Sequence, residues 1–220
     1  MRLALFDLDN TLVDRTEAIT RWAQEFAAAK SLGPAAVDWL IKTDDDGLLP
    51  KPDFFAQARA HFGLPESAAE LQLRYERRYP SHMRCPAAVL DGLTALRTAG
   101  WRLGVVTNGL TTVQQAVLDH TGLTAHLDGW CISETESIRK PDPEIFHRTA
   151  TRCGTDFTDA WMIGDSPEAD IVGGQNAGVP TIWISRTRTW PGSLQAPDHT
   201  TADIGAALEL LLALPPSVHR

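Results

Sequence analysis

Cysteine is scarce in this chain. Three thiols occur in 220 residues, at Cys85, Cys131 and Cys153, far apart and with no Cys-x-x-Cys. An odd, scattered set excludes a disulfide framework and a cysteine zinc site as organising elements. Buried or half-buried thiols in a reducing compartment are expected instead. Basic residues are also few, 20 Lys and Arg against 28 Asp and Glu, for a net charge of -8. Nucleic acid polymers and anionic membranes are bound by basic surface, so the acidic balance argues against both and neither is an expected partner. No block of like charges supplies a local patch either. Long apolar runs are missing. The stretch from Leu208 to Leu214 is interrupted by Glu209 and is far too short to span a bilayer. The first apolar stretch stops at Asp7, without the basic-then-apolar pattern of a secretory leader. A cytoplasmic protein is expected. Repeats and low-complexity segments are absent.

What is present is a hydrophobic content of 43%, enough for one medium domain or a core with a small insert. Strand-like runs cover Arg2–Leu8, Arg102–Thr107, Gly129–Ser133, Ala160–Gly164 and Thr181–Ser185. Helix-like patterns lie between them. Ala88–Ala99 stops at Gly100, Thr112–His120 stops near Gly122, Asp142-Pro143-Glu144 opens a helix, and Asp203–Leu214 ends at Pro215. Alternation of this kind predicts a parallel sheet covered by helices.

The interval between the first two strands is too long for one crossover helix. Asp14-Arg15-Thr16-Glu17 reads as a capping box, and Ile19, Trp22 and Phe26 form one apolar stripe ended by Gly33-Pro34. Trp22 therefore reads as packing. Short helices around Ala35–Ile41, Asp53–Phe62 and Glu66–Tyr79 follow. Residues 15–83 thus read as a helical insert, with 1–14 and 84–220 forming the α/β core. An insert there is expected to act as a lid. Its acidic stretch Asp44-Asp45-Asp46-Gly47 reads mainly as a solvated turn.

The chemistry gathers at strand ends, where open parallel sheets bind ligands. The first strand breaks into Asp7-Leu8-Asp9, and carboxylates are costly to bury without a cation or a proton. Another strand ends in Thr107-Asn108-Gly109, whose backbone could offer N–H groups to an anion. A third ends in Gly164-Asp165 and is followed by Asp170. Arg139-Lys140 sits in the loop after Gly129–Ser133. Paired carboxylates suit a hard cation such as magnesium. A hydroxyl, free amides and an ammonium suit phosphate oxygens. One carboxylate can attack as nucleophile while its neighbour supplies and removes a proton.

Asp-x-Asp-x-Thr, Thr-Asn, Lys-Pro-Asp-Pro and Gly-Asp-x-x-x-x-Asp, in this order from Leu3 to about Gly178, resemble the motifs of the haloacid dehalogenase (HAD) superfamily. The insert resembles that family's C1 cap. The resemblance implies a Rossmann-like core and a magnesium-dependent phosphohydrolase acting on a small phosphorylated metabolite. It implies that Asp7 forms an aspartyl-phosphate and that Asp9 is general acid, then general base. Thr107 and Lys140 would hold the phosphoryl group, with Asn108 beside them. Magnesium would be bound by Asp7, the Asp9 carbonyl and Asp165, with Asp170 acting from behind them or through a water. The strands ending in Asp7, Thr107 and Asp165 would lie side by side. A phosphomutase shares the scaffold. A dehalogenase fits less well, because halide needs no proton and the position of Asp9 would not be acidic. A non-enzymatic phosphoacceptor module lacks both the paired tip and the lid.

Overall fold

The computed structural model describes residues 1–215. They fall into two compact units, 1–13 with 85–215 and, separately, Asp14–Arg84. The first unit holds β1 (Arg2–Phe6), α5 (Ala87–Thr98), β2 (Trp101–Thr107), α6 (Thr111–His120), β3 (Gly129–Ile132) and α7 (Ser133–Glu136). It continues through α8 (Pro143–Arg152), β4 (Ala160–Gly164), α9 (Gly173–Asn176), β5 (Thr181–Ile184), β6 (His199–Thr201) and α10 (Ile204–Ala213). The second unit holds α1 (Arg15–Ala29), α2 (Ala35–Asp44), α3 (Lys51–Phe62) and α4 (Ala68–Arg78).

All strand pairings are parallel, in the order β3-β2-β1-β4-β5-β6. The chain moves outward from β1 through β2 to β3, then returns to the other side of β1 with β4. The order therefore reverses between β1 and β4, the place where such sheets bind ligands. β1 is central, and Leu3, Ala4, Leu5 and Phe6 are all fully buried. A strand covered on both faces needs this unbroken apolar run. The amphipathic helix α8 lays Ile145, Phe146 and Ala150 against Leu3, Leu5, Val106, Cys131 and Met162. Asp142 caps it by accepting the Glu144 N–H, and Pro143 occupies its first turn. β6, which the sequence reading omits, adds three residues at the β5 edge.

The 14–84 unit is built around Trp22. Its ring packs against Phe26, Phe54, Phe55 and Tyr75 with centroids 5.1 to 6.0 Å apart. Asp14 accepts the Glu17 N–H at the start of α1, and the full reciprocal capping box belongs to Ser67 and Glu70 on α4. α1 stops at Ala29, before the expected Gly33, where Ser31 takes a left-handed backbone. Asp44 departs from the expected solvated turn. It is fully buried and pairs with Arg15 and Lys51, while Asp45 and Asp46 are exposed.

Candidate active site

Parallel pairing sets the tips of β2, β1 and β4 side by side. Asp7 extends the ladder one step past β1, donating its N–H to the Ile163 carbonyl at 2.9 Å. Beyond it the Leu8 carbonyl accepts the N–H groups of Leu12 and Val13, and Asn10 takes a left-handed conformation. Asparagine tolerates that region better than most residues. The turn keeps Asp7 and Asp9 at one end of the sheet.

Asp7, Asp165 and Asp170 each offer a carboxylate oxygen, and these atoms lie within 4.8 Å of one another. All three residues are buried. Lys140 lies among them, its Nζ 2.5 Å from Asp7 Oδ1 and 2.7 Å from Asp170 Oδ1. Burial pushes the Asp7 carboxyl well above the usual range. Lys140 opposes that shift, whereas Asp170, Asp165 and Asp9 reinforce it. Burial alone would lower Lys140, but Asp170 and Asp7 outweigh it and hold the ammonium charged.

Asp170 is held by both of its carboxylate oxygens. Its Oδ2 accepts the Ser166 N–H at 2.9 Å while Oδ1 accepts from Lys140. Gly164 makes that fit possible, because a Cβ there would run into the Asp170 side chain. Ser166 caps the π-helical segment Pro167–Val172 that carries Asp170, so Asp165 is not spent as the cap. Asp165 instead receives Arg188, whose Nη2 lies 2.9 Å from Oδ2 and 2.7 Å from the backbone carbonyl. Trp183 Nε1 also donates to that carbonyl at 2.9 Å.

The donor set fits a hard divalent cation. Four carboxylates, Asp7, Asp9, Asp165 and Asp170, gather here around the cations of Lys140 and Arg188. Every donor is oxygen, as magnesium prefers.

Thr107 ends β2 and is buried. Asn108 turns toward the loop after α7. Its Oδ1 accepts the Lys140 N–H at 2.9 Å and its Nδ2 donates to the Lys140 carbonyl at 3.1 Å. Both ends of the amide thus brace the loop that presents Lys140. The Gly109 N–H, expected to be open to an anion, donates to Ser133 Oγ at 3.0 Å. Arg139 is exposed. Two polar partners escape the sequence reading. Gln114 donates to Asp9 Oδ2 at 3.0 Å and to Thr107 Oγ1 at 2.6 Å. Its one signal is a polar residue on the face that carries Val113 and Val117. Arg188 follows β5 with no pattern to mark it.

A family model described as haloacid dehalogenase-like hydrolase matches residues 1–178. Phosphoserine phosphatase from Thermus thermophilus is 28% identical over 244 residues, covering 93% of this chain and 96% of that protein. Phosphoglycolate phosphatase from Agrobacterium fabrum is 32% identical over 192 residues, covering 83% and 80%. The HAD-hydrolase YfnB from Bacillus subtilis, solved bound to magnesium, superposes with a TM-score of 0.79 at 22% identity, covering 96% of this chain and 98% of that one. At that identity the likeness speaks to fold. The family match and the relatives, joined to the parallel sheet with its acidic tips, show that the chain belongs to the haloacid dehalogenase-like hydrolases.

Proposed function

We propose that this phosphoric monoester hydrolase acts on a small phosphorylated metabolite, with magnesium as its cation and Asp7 as its nucleophile. The observation that supports it most is the buried meeting of Asp7, Lys140, Asp165 and Asp170 at adjacent strand ends. Asp7 attacks phosphorus, and the bond to the leaving oxygen breaks. Asp9 gives its proton to that oxygen, then takes one from the water that opens the aspartyl-phosphate. Lys140 neutralises the phosphoryl oxygens and steadies Asp7, and the Thr107 hydroxyl donates to the phosphoryl group. Asn108 holds Lys140 in place through its backbone. Asp7, the Asp9 carbonyl and Asp165 would hold magnesium, with Asp170 behind them. When bound, the ion supplies charge neutralisation to the transferring group.

Residues 15–83 are the inserted cap in this reading, and 1–14 with 84–220 the catalytic core. The two relatives are named for phosphoserine and phosphoglycolate, short phosphorylated acids, which favours a small soluble ester over a polymer. The acidic composition and reduced thiols suit the cytoplasm. No helix among the described residues is long and apolar enough to cross a membrane. An acid at position 9 favours phosphate over halide chemistry, since a leaving alkoxide needs a proton. Phosphate release across a panel of phospho-acids, sugar phosphates and nucleotides, with magnesium or with chelator, tests the proposal. Release from at least one ester, abolished by chelator and restored by magnesium, is expected. Release indifferent to chelator would overturn it.

A further inference from the structure

Gln114 is a buried polar residue that the proposed chemistry leaves without a task. It lies in the first turns of α6 with its side chain buried. A side-chain amide nitrogen has two hydrogens. Here each has an acceptor, Asp9 Oδ2 at 3.0 Å and Thr107 Oγ1 at 2.6 Å. The amide nitrogen is the end of the side chain that faces both oxygens. Burying an amide without partners is costly, so a side chain brought 105 positions across the sequence to Asp9 is held there by those two bonds.

The two bonds have different consequences. At Asp9, Oδ2 accepts from the amide, which sets the plane of the carboxyl group. At Thr107, the hydroxyl oxygen already accepts, so its own hydrogen must point elsewhere. Among the described residues no acceptor takes it. The hydroxyl is therefore set to donate to an incoming oxygen. Glycine at position 109 permits the arrangement. A Cβ there would lie 2.8 Å from Gln114 Cγ and 3.2 Å from its Nε2.

We infer that Gln114 is a positioning residue that orients Asp9 toward the leaving oxygen and Thr107 toward the phosphoryl oxygens with one amide group. This rests on the phosphatase reading above. It predicts a dependence on the leaving group that a merely structural residue would not produce. A nitrophenolate departs without a proton, whereas an alkoxide needs one from Asp9.

The test uses the whole chain with magnesium. Gln114→Met keeps the side-chain length and removes both donors. Gln114→Glu keeps the shape and turns an acceptor toward Asp9. kcat is measured on p-nitrophenyl phosphate and on the best alkyl phosphate of the panel, with inhibition by orthophosphate as a probe of the Thr107 end. Both variants are expected to lower the alkyl-to-aryl ratio of kcat by about 10-fold or more, a part of the usual worth of general acid catalysis. Orthophosphate inhibition should weaken several-fold. Gly109→Ala, which crowds Gln114 without removing it, should shift the ratio the same way and serves if a Gln114 variant fails to fold. An unchanged ratio in a folded variant would overturn the inference while leaving the phosphatase reading intact. A wild-type protein inactive on every ester would sink that reading instead.

Discussion

Lys140 Nζ lies 2.5 Å from Oδ1 of Asp7, with both side chains almost wholly buried. A buried ion pair on its own is weak evidence of stability, because desolvation can exceed the attraction. This pair sits in an acidic cluster with Asp165 and Asp170, where burial pushes Asp7 up and Lys140 alone among the named partners pulls it down. Such an arrangement is poor for a structural core and good for a site that receives a cation and an anionic substrate.

Asp7→Asn should cut turnover more than about 10³-fold, as loss of a nucleophile does. The same change removes a negative charge from a crowded buried cluster, so the metal-free protein should unfold at an equal or higher temperature. Phosphate release and thermal unfolding on one preparation check both halves. Substantial activity in a folded Asp7→Asn protein would remove Asp7 from its role.

Magnesium should stabilise the folded chain in the absence of any substrate. Binding to the native state alone adds about 2.7 kcal/mol at a ligand concentration 100 times Kd. Thermal unfolding in chelator and in rising magnesium should show a concentration-dependent increase in midpoint. Asp165→Asn should flatten it. Identical midpoints across the titration would argue against a cation in this cluster.

The strand tips were legible in the sequence because charge interrupts an apolar run there: Phe6 to Asp7 and Gly164 to Asp165. The parallel sheet was legible from alternation. β6 was not, since His199-Thr200-Thr201 is short, half-exposed and carries no apolar signal. Asp44 misled for a similar reason. Three consecutive acids before a glycine look like a wet turn, yet the first is buried by cations from two other helices. Gln114 and Arg188 act through partners 105 and 23 positions away, and one-dimensional patterns do not record such pairings.

Gly164→Ala should damage activity from inside the sheet. The added Cβ would collide with the Asp170 side chain, which holds Lys140 at 2.7 Å and the Ser166 N–H at 2.9 Å. Overpacking costs about 1–3 kcal/mol, and a displaced Asp170 takes Lys140 out of register. A loss in kcat of about 10-fold or more, with a lowered denaturant midpoint, is expected. A fully active Gly164→Ala protein would show that Asp170 does not need its present seat.

Asp44→Asn probes the other unit by itself. Asp44 accepts from Arg15 Nη2 at 2.5 Å and from Lys51 Nζ at 2.7 Å. Removing the charge takes the shared carboxylate from two cations that are buried or nearly so, of which Arg15 keeps Asp46 at 3.2 Å, a change worth at most about 3–5 kcal/mol. Burial would raise the Asp44 carboxyl, but Arg15 and Lys51 outweigh it and hold it below its ordinary 3.8. A carboxyl depressed by folding lends stability above its unfolded value, and that stability is lost as pH falls through the folded one. The gap between wild type and Asp44→Asn should thus be full at neutral pH and close progressively below about pH 3.8. Urea unfolding at neutral and acid pH measures it. A gap under about 1 kcal/mol at neutral pH would mean the network behaves like an exposed ion pair, and a gap that persists undiminished in acid would mean that packing rather than charge sets the cost.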